Sequence, residues 1–487
     1  MEHIRKNRGS GVLMHISSLP GAYGCGNLGR DARAFVDFLK SAGFSYWQIL
    51  PICITDEYHS PYASYGAFSG DPNYIDPESL LARGLITEEE CAAARYDDPY
   101  VAAFPTLRDE RIALYKKAAA RVSDRAPILR YMDEHPHIAN FCLFMACREK
   151  NGGDKDLSPA SPYDEETLFA WQFMQYEFFR AFGELHDYAS EKGIRLIGDI
   201  PIYVSQGSAD VFERPELFDL RKDGTPRRVA GCPPDAFTED GQRWGNPLYN
   251  WKEMKKDGYA WWRDRVTHML SLFDGIRIDH FRGFEAYYSI PATETTARNG
   301  KWVKGPGRPF IDMLKKTVGD RLVIAEDLGN MTPAAEQLVD YSGFYSTRVL
   351  EFAFDDPSMT SRHMPYGYEA GTAAYTGTHD NNTLLGFLFE ADDDVRDRMF
   401  RYCGYEGKRY EDACAVIRRT LLSSHADLVI FPIQDLLGYG ADTRMNTPGR
   451  AEGNWTYRVT WEQLGTLSPK QLREENMLYG RYKEPVV

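Results

Sequence analysis

Residues 273–284 read FDGIRIDHFRGF. The segment begins as a buried strand in which Ile276 and Ile278 alternate with Arg277 and Asp279. Side chains two residues apart on a strand point the same way, so an arginine and an aspartate share one face. On its own, that pair suits a structural ion pair as well as it suits a working site. The surrounding chain separates the two readings.

Seven further short apolar runs resemble this one: GVLMHIS (11–17), YWQILPI (46–52), IRLIGDIPIYV (194–204), RLVIAED (321–327), TRVLEFAF (347–354), AAYTGTHD (373–380) and DLVIFPI (427–433). Helical patterns separate most of them. Ala32, Phe35, Val36 and Leu39 recur at i, i+3, i+4 and i+7, and residues 167–192 form a long amphipathic segment closed by Gly193. Eight short strands alternating with helices predict an α/β chain closed into a (β/α)8 TIM barrel. The whole chain, 1–487, reads as a single catalytic barrel with two intervals too long for plain connections. Residues 71–165, after the second strand, predict an inserted helical subdomain. Residues 205–258, after the third, are rich in Gly, Pro and Trp and predict an inserted active-site loop region.

Composition narrows the function. The net charge of −14 and the absence of any basic run argue against nucleic-acid or anionic-membrane partners. No stretch approaches the roughly 18 uninterrupted apolar residues of a membrane span. The N-terminus lacks a signal peptide's apolar run. The eight cysteines are scattered without a CxxC, which predicts reduced thiols and a cytoplasmic location.

Several motifs are weaker than they look. Gly24-Cys25-Gly26-Asn27-Leu28-Gly29 fits GxGxxG, but Leu19-Pro20-Gly21-Ala22-Tyr23 intervenes after its strand and no acid closes the next one; a Gly-rich rim loop is the better reading. His135-Pro136-His137 reads as a surface loop, and there is no HExxH, Cys/His quartet or GxSxG elbow, so no metal site is expected.

The carboxylates differ. Asp279, Glu326 and Asp380 each end a predicted strand, and Asp199 interrupts a fourth. In a (β/α)8 barrel the strand ends form one rim, where active sites lie. Unpaired clustered carboxylates destabilise one another, so a purely structural role is a poor explanation for the set. Retaining glycoside chemistry needs such a set: an ionised carboxylate to attack the anomeric carbon, and a protonated one ~5–5.5 Å away to serve the leaving oxygen. Arg277 would keep Asp279 ionised as the nucleophile, Glu326 in its apolar run IAEDLG would stay protonated, and Asp380 beside His379 would hold sugar hydroxyls. Tyr62, Trp244, Tyr249, Trp251 and Trp455 lie in loops beside amides and glycines, and their rings suit the apolar faces of sugars; loop stapling is the competing explanation for each.

RIDHFRGF, AEDLG and THDNNT, together with GCPPDAFTEDGQRWGNPLYNW (231–251), resemble the 4-α-glucanotransferases, or amylomaltases, of the α-amylase superfamily. GDIPIYV (198–204), HSPYASYGAFSGDP (59–72), RMNTPG (444–449) and NWTYR (454–458) resemble further blocks of that family. The likeness runs from about residue 11 to 458. It implies transfer of a segment of an α-1,4-glucan donor to the 4-OH of glucose or another maltodextrin, through a covalent glycosyl-enzyme and without cofactor or metal. It further implies Asp279 as nucleophile, Glu326 as general acid/base and Asp380 as transition-state stabiliser. Tyr62 would stack on the donor sugar, and Ser60, Asp199, Gln242, Trp244, Arg277, His280, His379 and Asn446 would contact sugars around it. The chain departs from the family where a Gly-rich PLGPTGYGD-type run usually precedes Ser60; here it reads PICITDEYH (51–59). The alternatives are a hydrolase on the same barrel and a non-catalytic glucan-binding barrel. The Trp- and Pro-rich 231–251 segment, a wall against water, favours transfer over hydrolysis. The three acids argue against loss of chemistry. The sequence leaves the oligomeric state open.

Overall fold

The computed structural model describes residues 8–153, 157–234, 239–450 and 452–483. Among the described residues twelve strands are formed. Eight of them are β1 (Gly9–Leu13), β2 (Tyr46–Gln48), β3 (Arg195–Ile200), β6 (Gly275–Ile278), β9 (Leu322–Ala325), β10 (Tyr345–Val349), β11 (Thr372–Tyr375) and β12 (Leu428–Pro432). All eight are parallel and close into a barrel in the order β1-β12-β11-β10-β9-β6-β3-β2. Each falls on or beside one of the eight predicted runs. Ile276 and Ile278 face the surrounding helices and are fully buried, while Arg277 points into the barrel. The β3–β6 register pairs Asp199 with Arg277, so the two charged residues sit side by side in the barrel interior.

The excursions build the walls. Helices Pro77–Ala82, Glu88–Ala93, Phe104–Ala120, Ala126–Glu134 and Pro136–Lys150 follow β2, and the long helix Glu165–Lys192 returns the chain to β3. That helix stops where Gly193 adopts a left-handed φ of 76°. A second, four-stranded antiparallel sheet is ordered β5-β4-β7-β8, from β4 (Arg228–Cys232), β5 (Gln242–Pro247), β7 (Ala286–Pro291) and β8 (Lys301–Lys304). Its outer hairpin, β7–β8, comes from the connection after β6 and was not anticipated; two excursions share one sheet. Residues 235–238, part of the 231–251 block, lie outside the described residues.

Two minor motifs settle. Gly26 and Gly29 are packing glycines: an added Cβ would lie 2.0 Å from the Ile16 carbonyl oxygen and 2.3 Å from Asp76 Oδ2. With Asp31 also in the first turn of helix Arg30–Ser41, carboxylates occupy the place a phosphate would need. His137 is not in a surface loop. It begins a helix, stacks on Phe68 at 4.2 Å and sits between Glu213 and Asp264. Among the described residues no helix is long and apolar enough to cross a membrane, and all eight cysteines are free thiols.

The barrel seam is fastened at its floor, away from the strand ends that carry the acids. Arg481, 2% exposed, donates to the carbonyls of Leu422 (2.9 Å), Gly9 (3.0 Å) and Ala426 (3.1 Å), tying the entry of β1 to the approach to β12. Arg481→Ala should therefore destabilise the fold by about 3 kcal/mol. Urea unfolding measures this, and activity well below the unfolding transition should be unchanged.

Candidate active site

The C-terminal strand ends gather a continuous network around Arg277. Its Nη1 donates to both oxygens of Asp199 (2.9 and 2.7 Å), and its Nη2 donates to Asp279 Oδ1 at 2.9 Å. Asp199 is fully buried, whereas Asp279 is about one-quarter exposed, so the guanidinium anchors one acid below and aims the other outward. Burial works against the Arg277 charge, but Asp199, Tyr62 and Asp279 hold its pKa well above the ordinary arginine value. The Tyr62 hydroxyl donates to Asp199 Oδ2 at 2.7 Å.

Glu326 reaches the same rim from the end of β9. The chain leaves β6 at Ile278, passes Asp279 and turns sharply because His280 takes a left-handed φ of 47°. That kink points the His280 N–H at Glu326 Oε2 (2.7 Å), and Leu328 N–H donates to Oε1 at 2.8 Å. Burial first, and then the negative charge of Asp279, push the Glu326 carboxyl up to about 7, against the pull of Arg277 and of these two N–H groups.

Asp380 follows β11. Burial alone would raise its pKa, but His379 Nε2 (3.3 Å from Oδ2) and Asn446, whose amide donates to Oδ1 at 2.6 Å, hold it well below the usual carboxylate range. These two acids of the rim are thus driven to opposite states, Asp380 ionised and Glu326 holding its proton near neutrality. Arg444 donates to the backbone oxygens of Asp380 (2.7 Å) and Asn446 (2.6 Å), fixing the turn and its amide partner together.

Rings line the walls. Tyr62 stacks on His379 at 5.0 Å with an interplanar angle of 17°, and Trp455 leans on both rings at about 6 Å. On the other side Trp244, 37% exposed on β5, stands edge-on to His280 at 5.0 Å, and its Nε1 donates to Gln242 Oε1 at 3.0 Å. Ser60 Oγ accepts the Tyr62 N–H at 3.3 Å and shapes the turn that presents the ring. The unusual run before it is held by Arg108, which donates to Thr55 and to the Asp56 carbonyl, while His59 adopts φ 59° and stacks on Phe104. Among the described residues five non-glycines have positive φ, and three of them, His59, His280 and Trp455, adjoin this site. Such conformations cost about 1–3 kcal/mol each and cluster where geometry is over-determined.

The twelve residues that the family resemblance assigns to the site therefore join one network, and of the further rings Trp455 packs with them. Tyr249 and Trp251 do not. The Tyr249 hydroxyl donates to the Ile202 carbonyl at 2.8 Å and its ring is buried, while Trp251 packs on Phe284 and Phe310; both staple loops. Glu351 and Asp435, two acids buried beneath the Asp380 turn, were not anticipated. Their signal was an acid inside an apolar run, in LEFAF and IQDLL.

A family model described as 4-alpha-glucanotransferase matches residues 14–464. The chain belongs to the 4-alpha-glucanotransferase family. The 4-alpha-glucanotransferase of Thermus thermophilus is 40% identical, over 95% of this chain and 96% of its own. That of Clostridium butyricum is 37% identical, over 96% of this chain and all of its own. Among solved structures, the amylomaltase from Streptococcus agalactiae in complex with acarbose matches with a TM-score of 0.93 and 35% identity, covering 98% of this chain and all of that one. As a 4-alpha-glucanotransferase the chain is a glycosyl-transferring enzyme that acts on α-1,4-glucans.

The Glu326 environment can be tested apart from turnover. Carboxyl-resolved infrared or 13C titration should find Glu326 with a midpoint near 7. In Asp279→Asn the midpoint should fall, because one of the charges raising it has been removed.

Proposed function

We propose that Asp279, Glu326 and Asp380 carry a double displacement that moves a maltodextrin segment from an α-1,4-glucan to glucose or another maltodextrin. The observation that carries this reading is the opposed electrostatics of neighbouring acids: Arg277 on Asp279 Oδ1, and a Glu326 carboxyl held near 7. Asp279 Oδ1 accepts from Arg277, which leaves Oδ2 to attack the anomeric carbon of the donor. As that bond forms, the bond to the leaving glucan breaks and Glu326 passes its proton to the departing O4. Asp380, held ionised by His379 and Asn446, stabilises the positive charge that develops on the sugar.

In the second half the acceptor's 4-OH gives its proton to Glu326 and its oxygen attacks the same carbon, releasing Asp279 as a carboxylate. Two inversions return the α configuration. Tyr62, with His379 and Trp455 behind it, offers one stacking wall, and Trp244 with Gln242 the other. Asp199 and Arg277 lie beneath the sugar, with Ser60, His280 and Asn446 at its edges. Acarbose in the related amylomaltase is consistent with a maltooligosaccharide in this cleft. No step calls for a cofactor or a metal.

Incubation with maltotriose should give free glucose and a ladder of longer maltodextrins; only shorter products would mean that water, not sugar, is the acceptor. Asp279→Asn should lower kcat on the order of 10⁴-fold while binding persists, and unchanged turnover would remove Asp279 from the mechanism. The kcat/KM for donor should fall as pH rises through about 7, where Glu326 loses the proton it must donate.

A further inference from the structure

The turn that carries His379 and Asp380 rests on two buried acids that the reaction itself does not use. Strand β11 lies between β10 and β12 in the barrel, and each neighbour ends in a carboxylate: Glu351 just past β10 and Asp435 just past β12. They are 3% and 1% exposed. Both close on the end of β11. The Glu351 N–H donates to the Thr376 carbonyl at 3.2 Å, the Thr376 hydroxyl donates to Asp435 Oδ2, and the Leu384 N–H donates to Asp435 Oδ1 at 2.7 Å.

Glu351 also reaches the turn itself. Its carboxyl and the Asn381 side chain both lie against Gly377, where an added Cβ would lie 2.8 Å from Glu351 Oε1 and 3.1 Å from Asn381 Cβ. The Asn381 Oδ1 is occupied by Thr378, which donates from its N–H (2.9 Å) and its hydroxyl (2.8 Å), and Thr378 Oγ1 accepts the Asp380 N–H at 3.3 Å. A chain of hydrogen bonds therefore runs from Asn381 through Thr378 to the backbone of Asp380, with Glu351 packed at its foot. Glu351 Oε1 is buried with no hydrogen-bond partner.

We propose that Glu351 is a positioning residue for the Asp380 turn, holding Asn381 from below as a neutral carboxylic acid. The proposal rests on the reading of Asp380 as a working site residue. An ionised Glu351 would put a second buried negative charge beside Asp435 and leave one of its oxygens unpaired. Asp435 has two donors of its own and is the member suited to the charge. The charged groups facing Glu351 are Asp435 from the segment after β12, Arg444 from the loop that fixes Asp380, and Asp355 from its own segment. Burial and Asp435 push the Glu351 carboxyl well above its usual range, against Arg444 and Asn381. The folded protein then keeps a proton that the unfolded chain releases near 4.5, so this residue's contribution makes stability fall as pH rises above that value.

Glu351→Gln, Glu351→Leu and wild type are compared for kcat and KM with maltotriose, and for melting temperature from about pH 5 to about pH 9. The Gln variant should keep kcat within about threefold, and the Leu variant should lose about tenfold or more in kcat with KM within about twofold. The melting temperature of wild type should fall relative to that of Glu351→Gln as pH rises. Equal losses in the Gln and Leu variants, or identical pH dependence of melting in Gln and wild type, would overturn the proposal. Should the Leu variant not fold, Asn381→Ala cuts the same link from above; the same kcat loss is expected, and unchanged kcat refutes the link. Asp380→Asn separates the two readings: full activity there sinks the role of Asp380, while the melting comparison still reports on the Glu351 proton.

Discussion

One guanidinium shared between two carboxylates governs the rim of this barrel. Arg277 is buried, and a buried cation is tolerable only when paired. Asp199, in register with it on the adjacent strand, supplies that pairing from within the barrel. The second fork of the guanidinium is then free to grip Asp279 at the mouth. The fork is planar and rigid, so fixing one end fixes the other, and the direction of Asp279 follows from the β3–β6 register. Glu326 inherits its state from the same arrangement, because Asp279 and Arg277 are the two charges that act on it in opposite senses.

The barrel and the acids were readable for the same reason. A parallel strand buried on both faces tolerates few charges, so an acid at the end of an apolar run stands out, and eight such runs leave few alternatives to closure. What joins the acids was not readable, because it depends on lateral neighbours. Nothing in FDGIRID says that Asp199 lies beside Arg277, and nothing in THDNN says that Asn446 will grip Asp380 from 66 residues away. The rings show the limit most clearly. Trp244, Tyr249 and Trp251 share one short block rich in Gly, Asn and Pro, yet only Trp244 meets the site, because β5 turns it outward while its two neighbours close on the core. The β7–β8 hairpin escaped notice because it pairs with strands from another excursion rather than with the barrel. The acids beneath the Asp380 turn looked like interruptions of a core strand and a core helix, and only the barrel order shows that they flank the same strand.

Charge is distributed unevenly around the cleft. Asp380 is held ionised by an imidazole and an amide, Glu326 retains its proton through burial, and Asp279 leans on a permanent cation. Three identical functional groups thus acquire three different characters without a metal-like centre of charge. Glu326 and Asp380 take partners from other strand ends, and the Arg277 that holds Asp279 is itself anchored by Asp199 on β3, which is the kind of convergence that a closed barrel supplies and an open sheet does not.

The auxiliary sheet has an implication for how such a protein changes over time. Trp244 and Gln242 ride on a wall whose strands hydrogen-bond to one another and not to the barrel, whereas the acids are locked into barrel register. Insertions or substitutions that re-tilt this wall leave the distances among the acids untouched. On the proposed reading, in which the acids carry the chemistry and this wall meets the glucan, the two are separable inheritances: the second can be remodelled while the first stays anchored in the strands.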